Sequence, residues 1–281
     1  MKKFFLTLTV LSCLASQAQN EIRLLVRSDD IASFNAANKA CMDVYTKGIS
    51  RSVEIMPCCP WFPEAVTLLN ENPGYDVGVH LMVTSEWTNC KWAPLTKAPS
   101  LVDKDGYFHP FIWPNESRPG MAVMDYDWKL DELEQEFRAQ IELVKKHIPH
   151  VSHLSGHMGC MNFGHNNDTK VAEMVKRLAK EYGLDIETEG KFKRFPSFQE
   201  KGMTGKQRTN AFAKALESLE PGTYMFVEHP AYDTPEMRSI GHVGYEHVAQ
   251  DRQEVTDMFT SPKVLKVIKK KNIKLISYKD L

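Results

Sequence analysis

The sequence predicts an α/β domain on a parallel sheet of seven short strands, and two observations predict it. Short apolar runs rich in Val, Ile and Leu alternate with longer stretches of helical period. Polar side chains that suit metal binding or proton transfer also stand at the C-terminal ends of several runs. In a closed (β/α) barrel, function gathers at those strand ends. A flat, doubly wound sheet obeys the same rule, so the pattern leaves closure open.

The first residues, Met1-Lys2-Lys3 and then an apolar core to Leu11, read as a secretory leader. Ser16-Gln17-Ala18 sets cleavage after Ala18, and the run is too short to span a bilayer. Cys13 offers a rival, lipidated start, but Leu11-Ser12 before it matches a lipoprotein box poorly. The expectation is a secreted or periplasmic chain, and N-terminal sequencing should begin at Gln19 or close by. Of 281 residues, the 18 of the leader leave 263, suited to one large domain over 19–281. The chain carries 35 Lys and Arg against 36 Asp and Glu; losing Lys2 and Lys3 leaves 33 against 36, a net of −3. Nothing in that balance suggests a nucleic-acid partner, and none is expected. Cys41, Cys58, Cys59, Cys90 and Cys160 show no zinc-knuckle spacing, and at most one disulfide is expected among them.

The first strand, Ile22 to Val26, runs into Arg27-Ser28-Asp29-Asp30. Two adjacent carboxylates at the end of a buried strand raise each other's pKa unless positive charge sits beside them. A divalent cation would answer this, one aspartate ligating and the other free as a base. The plainer reading is that both cap the next helix, Phe34 to Thr46. Strand two is Ser52 to Met56; a short helix over Ala65 to Asn70 follows, then strand three, Asp76 to Leu81, closing on His80. Residues 84–128 show no sustained period, and a structureless insertion this long usually has a job. Its Trp87, Trp92 and Trp113 suit stacking on a sugar's apolar face, or equally a small satellite core.

Order resumes with an amphipathic helix from Leu130 to Ile148. Strand four, Val151 to Leu154, runs into Ser155-Gly156-His157. A helix over Lys170 to Tyr182 precedes strand five, Leu184 to Thr188; a helix over Thr209 to Leu219 precedes strand six, Tyr224 to His229. Helices at Val248 to Met258 and Lys263 to Lys271 lead to strand seven, Ile273 to Ser277. Asp30, His80 and His157 thus supply two histidines and a carboxylate from three strand ends, the donor set a catalytic divalent metal wants. The other histidines, His153 among them, are read as ordinary hydrogen-bonded residues.

Ser28-Asp29-Asp30, Asn38, Gly48-Ile49, Gly78-Val79-His80-Leu81, His153-Leu154-Ser155-Gly156-His157 and Glu228-His229-Pro230-Ala231 recur in an order that resembles the YdjC-like carbohydrate deacetylases. That branch is related to polysaccharide deacetylases, and the resemblance runs to Arg252-Gln253-Glu254 and the last strand. It implies a distorted seven-stranded (β/α) barrel and metal-dependent removal of N-acetyl groups from small acetylated amino sugars, with magnesium or zinc as cofactor. It also implies that Asp30, His80 and His157 hold the metal, Asp29 is the general base and His229 the general acid. Asn38 and Arg252 fall beside the site. The chain departs from the family pattern at Ser155, where an aspartate is usual, at Gly159 and Met161, where histidines are usual, and at Arg27, where asparagine is more frequent. Those departures keep a rival open, a sugar-binding protein without turnover. A non-haem iron oxygenase shares the donor set, but the ligand order speaks against it. No transmembrane segment is expected, and the oligomeric state is not fixed by the sequence.

Overall fold

The computed structural model describes residues 21–164, 168–187, 192–200 and 202–281. The leader, Cys13, His165 and the end of the expected fifth strand at Thr188 lie outside the described residues. The axis of the sheet is β1, Ile22–Ile31, every residue of which except Arg23 is buried. Its Ile22 to Ser28 pair with β6, Gly222–Glu228. The opposite edge of β1 is shared: Arg23 to Leu25 pair with β7, Lys274–Ile276, and Arg27 to Ile31 pair with β2, Ser52–Ile55. Beyond β2 come β3, Asp76–Leu81, β4, His153–Gly156, and β5, Asp185–Ile186, all parallel. The order β5-β4-β3-β2-β1-β6 curls into a half-barrel, the α/β barrel-like fold the sequence implied. Across the gap between β5 and β6, Lys193 makes an isolated bridge to Tyr224.

The helices α1, Asn35–Thr46, α2, Phe62–Glu71, α3, Leu130–His147, and α4, Lys170–Tyr182, cover the half of the sheet from β1 to β5. Their buried faces share one core with Val77, Val79 and Leu154. Behind β1 and β6, α5, Gly205–Glu217, α7, Val248–Thr260, and α8, Pro262–Lys270, enclose a second core around Phe212 and Phe259. Between them lies α6, a single turn over Pro235–Arg238. Residues 84–128 contain two 3-10 turns, Pro99–Leu101 and Val123–Asp125, and two isolated bridges, Val102 to Phe108 and Phe111 to Ala122. No helix among the described residues is long and apolar enough to cross a membrane. The five described cysteines are free thiols, so no disulfide links them.

Most element ends fall within a few residues of the expected ones. The fifth strand shrinks to two residues. The helix expected from Thr209 starts earlier, at Gly205, because Thr204 and Gln207 form a capping box. At α2 the start moves back to Phe62 because Pro63 sits in the first turn, where its missing N–H costs nothing.

Candidate active site

In a regular strand, neighbouring side chains point to opposite faces. Asp29 and Asp30 do not, because β1 breaks its register with β2 between Ser28 and Ile31. Asp30 takes φ of 72°, a left-handed conformation that aspartate tolerates better than most residues. Asn38 fixes the turn that follows: its Oδ1 accepts from the Ala32 N–H at 2.7 Å, and its Nδ2 donates to Glu64 at 2.8 Å. Both carboxylates consequently meet the same imidazole. His80 Nε2 lies 3.8 Å from Asp29 Oδ2 and 3.6 Å from Asp30 Oδ1. The helix-capping reading is excluded, since α1 has Phe34 as its N-cap and no side-chain cap bond.

His157 completes the group, with Nδ1 3.4 Å from Asp30 Oδ1. One ligand atom each from Asp30, His80 and His157 lie within 4.8 Å of one another, and all three residues are buried. Asp30 Oδ1 has no hydrogen-bond donor among the described residues, an orphaned acceptor facing two ring nitrogens. The other oxygen, Oδ2, accepts from Arg252 at 2.7 Å. Burial alone would raise the Asp30 pKa, but Arg252, His229 and His157 outweigh it and hold the carboxyl well below its usual range. His229, half-buried, directly follows Glu228, the β6 residue in register with Ser28, so it stands at the strand end beside the one that carries the aspartate pair.

The proton positions on His80 follow from its neighbours. Ser155 Oγ donates its single proton to a Glu54 carboxylate oxygen, which can only accept. Ser155 Oγ therefore accepts from His80 Nδ1–H at 2.8 Å. Nε2 keeps its lone pair, turned toward Asp30. Burial, with His157 nearby, pushes the His80 pKa down to about 3, so the ring is neutral. Glu54 continues the chain to His153 Nε2 at 2.8 Å, which makes His153 the hydrogen-bonded residue the sequence suggested. His157 has the opposite character. Burial favours its neutral form, but Glu86 and Asp30 outweigh it and lift its pKa to about 10. Glu86 Oε2 lies 3.2 Å from Nε2, which turns Nδ1 toward Asp30.

Asp29 is held separately. Arg27 Nη2 donates to Asp29 Oδ2 at 2.8 Å, and Arg27 Nε stands 2.7 Å from Oδ1 outside hydrogen-bonding geometry. Arg27 also reaches Glu187 and the Tyr278 hydroxyl.

The structure thus brings together Asp29, Asp30, His80, His157 and Arg252, and sets His229 at the end of the adjoining strand. Asn38, Trp92 and Trp87 have structural work instead. Asn38 is fully buried with its amide committed to the turn. Trp92 is buried with its indole N–H donating to Thr84 O at 2.6 Å. Trp87 is buried under His242, with the Arg252 guanidinium 5.5 Å from its ring centre. Trp113 stays exposed. Sequence reasoning missed Glu54, Glu86 and Glu187. Glu54 carried a signal, a charge between Val53 and Ile55 in a buried strand, the same kind of signal as the aspartate pair. Glu86, in a stretch without period, carried none.

A family model described as YdjC-like protein matches residues 23–270. Two relatives from Listeria innocua, Carbohydrate deacetylase 1 and Carbohydrate deacetylase 2, are 25% and 27% identical over 272 and 276 residues. The alignments cover 92% of this chain in each case, and 100% and 99% of the relatives. A crystal structure of a protein from Enterococcus faecalis is 21% identical with a TM-score of 0.71, covering 92% of this chain and 98% of that one. That last likeness reaches the fold alone.

Proposed function

This chain belongs to the YdjC-like family, and from that premise we propose that it is a metal-dependent carbohydrate deacetylase acting on small N-acetylated amino sugars. The observation that carries the reading is the convergence of Asp30, His80 and His157 on the orphaned Oδ1 of Asp30. Two imidazoles and one carboxylate suit magnesium or zinc, which Asp30 Oδ1, His80 Nε2 and, on release of its proton, His157 Nδ1 would hold. A divalent ion there would supply Lewis acidity, lowering the pKa of a water and polarising the acyl carbonyl.

The chain's own residues divide the remaining work. Asp29 accepts the proton of the attacking water, and Arg27 keeps its carboxylate turned to the cluster. His229 gives a proton to the amide nitrogen as the C–N bond breaks, so that a free amine and acetate leave. Pro230 disfavours helical backbone at His229, which holds it extended at the C-terminal end of β6. Ser155, the departure that favoured a sugar-binding protein without turnover, keeps a place in the path from His80 to Glu54. That supports catalysis over binding alone. The partner is a small carbohydrate.

The direct test is acetate release from a panel of N-acetylated mono- and oligosaccharides, with and without chelator. Release that stops on chelation and returns with added metal is expected. Tight binding of a panel sugar with no acetate from any of them would give the site to the binding-protein reading.

A further inference from the structure

Glu86 also lines a cavity of about 380 Å³ whose walls include Lys91, Phe111, Arg118, Met121 and His242. A stack of side chains leads to it from Asp30. Arg252, bonded to Asp30, sits over Trp87; Trp87 lies 5.8 Å from His242 at 20°; His242 meets Phe111 edge-on at 5.5 Å. The Arg118 guanidinium then covers the Phe111 ring at 4.2 Å. The cavity therefore adjoins the candidate metal site through Glu86 and is tied to it through this stack.

Its chemistry is mixed in a specific way. Met121 and Val243 are exposed at its wall and offer an apolar surface beside Phe111, the kind a sugar ring's C–H face packs against. Arg118 Nη1 is buried and has no hydrogen-bond partner among the described residues. Stacking on Phe111 holds the guanidinium still while one of its donors goes unmet, and an unmet buried donor on a charged group is costly. Lys91 adds a second cation; one of its protons goes to Ser85 O at 2.6 Å, and an ammonium has three. The only carboxylate among the cavity residues, Glu86, is turned to His157.

Resting on the deacetylase reading, we propose that this cavity is a subsite for a sugar unit bearing a carboxylate, next to the acetylated unit in the substrate. The carboxylate accepts from Arg118 Nη1, whose planar fork suits it, and the ring lies against Met121 and Val243. A volume at the low end of small-molecule sites fits one sugar unit.

The test compares acetate release from matched acetylated disaccharides whose second unit is neutral, a uronic acid or a 6-phosphate, for the parent and for Arg118→Gln. The parent should favour the uronate over the neutral sugar by roughly tenfold in kcat/KM, about the worth of one charge-assisted hydrogen bond. Arg118→Gln should erase that preference and leave the neutral rate unchanged. Equal rates in the parent, a preference that survives Arg118→Gln, or a preference for phosphate over carboxylate would each overturn the assignment. Should no disaccharide release acetate, the deacetylase reading fails, and calorimetric titration with glucuronic acid and glucose judges the subsite alone. Tighter binding of the acid that Arg118→Gln abolishes upholds it; no such difference ends it.

Discussion

Asp29 and Asp30 are adjacent, both buried, and each is neutralised by its own arginine, Arg27 for Asp29 and Arg252 for Asp30. The pairing divides their chemistry. Asp30 spends one oxygen on Arg252 and aims the other at two imidazoles, whereas Asp29 is gripped from behind and has no ring nitrogen closer than 3.8 Å. Asp29→Asn and His229→Ala should therefore keep bound metal and lose roughly 10²–10⁴-fold in turnover, the range for a positioned acid or base. Asp30→Asn should release the metal itself. Metal content by mass spectrometry beside acetate kinetics separates these outcomes, and a metal-free Asp29→Asn would exchange the two roles. Glu86 makes a second case. It fixes which nitrogen of His157 faces the cluster, so Glu86→Ala should weaken metal binding by roughly 10–100-fold, the usual loss when such a partner is removed. Glu86→Gln retains an acceptor for Nε2–H and should stay closer to the parent; calorimetry with the metal alone reads both. The aspartates were legible because carboxylates at the end of an apolar strand are an electrostatic anomaly. Glu86 becomes significant only once the chain folds back on His157, which no local pattern reveals.

Among the elements, the insertion over 84–128 looked structureless in sequence and is instead anchored. The anchor is Glu136, fully buried on α3. Its carboxylate accepts from the backbone N–H groups of Leu95 and Thr96 at 3.0 and 2.9 Å, from the Thr96 hydroxyl at 2.6 Å and from Gln140 at 2.8 Å. Gln140 in turn pairs with both backbone groups of Met82, at the foot of the insertion. Glu136 stood out poorly in the sequence because it follows Leu133 and precedes Phe137 in a helix whose period already accounted for its core face. The tryptophans were legible as an unusual cluster. Their role was not, since an indole that stacks on sugar and one that fills a satellite core have the same composition. Removing the anchor strands several donors at once, each worth about 1–3 kcal/mol if it stays buried. Glu136→Ala should expose the insertion to limited proteolysis within residues 84–128 and lower kcat/KM, while metal affinity holds. An intact proteolytic pattern would show that the insertion is held by its apolar contacts alone.

At the scale of the whole molecule, the strand and helix alternation made the parallel sheet readable, and the barrel's incompleteness was not. The reason lies in β5, where two residues pair with β4, so among the described residues no strand carries the sheet round to β6. Arg27 at the centre of β1 does part of that joining with side chains. It reaches Glu187 just past β5, Tyr278 beyond β7 and Asp29 on its own strand, and lies 4.0 Å from Glu54 on β2. Those partners keep Arg27 charged despite its burial. Arg27→Met would leave their carboxylates facing a methyl thioether, and losing one partner of a buried ion pair costs about 3–5 kcal/mol. The pH dependence follows from Glu54, whose pKa is lowered because His153 and Arg27 outweigh the effect of burial. A carboxylate depressed in the folded state adds stability above its unfolded pKa and loses it as the pH falls through the folded value. The Arg27→Met deficit should thus be full at neutral pH and shrink on acidification, as the stranded carboxylates take up protons. Urea unfolding of the metal-free proteins measures it. In the double variant Arg27→Met, Glu187→Gln, part of the loss should return, with a coupling of about 0.5–3 kcal/mol. If the two single effects simply add, Arg27 does not join β5 to the rest of the sheet, and closure of the half-barrel rests on the backbone bridge at Lys193 and on packing.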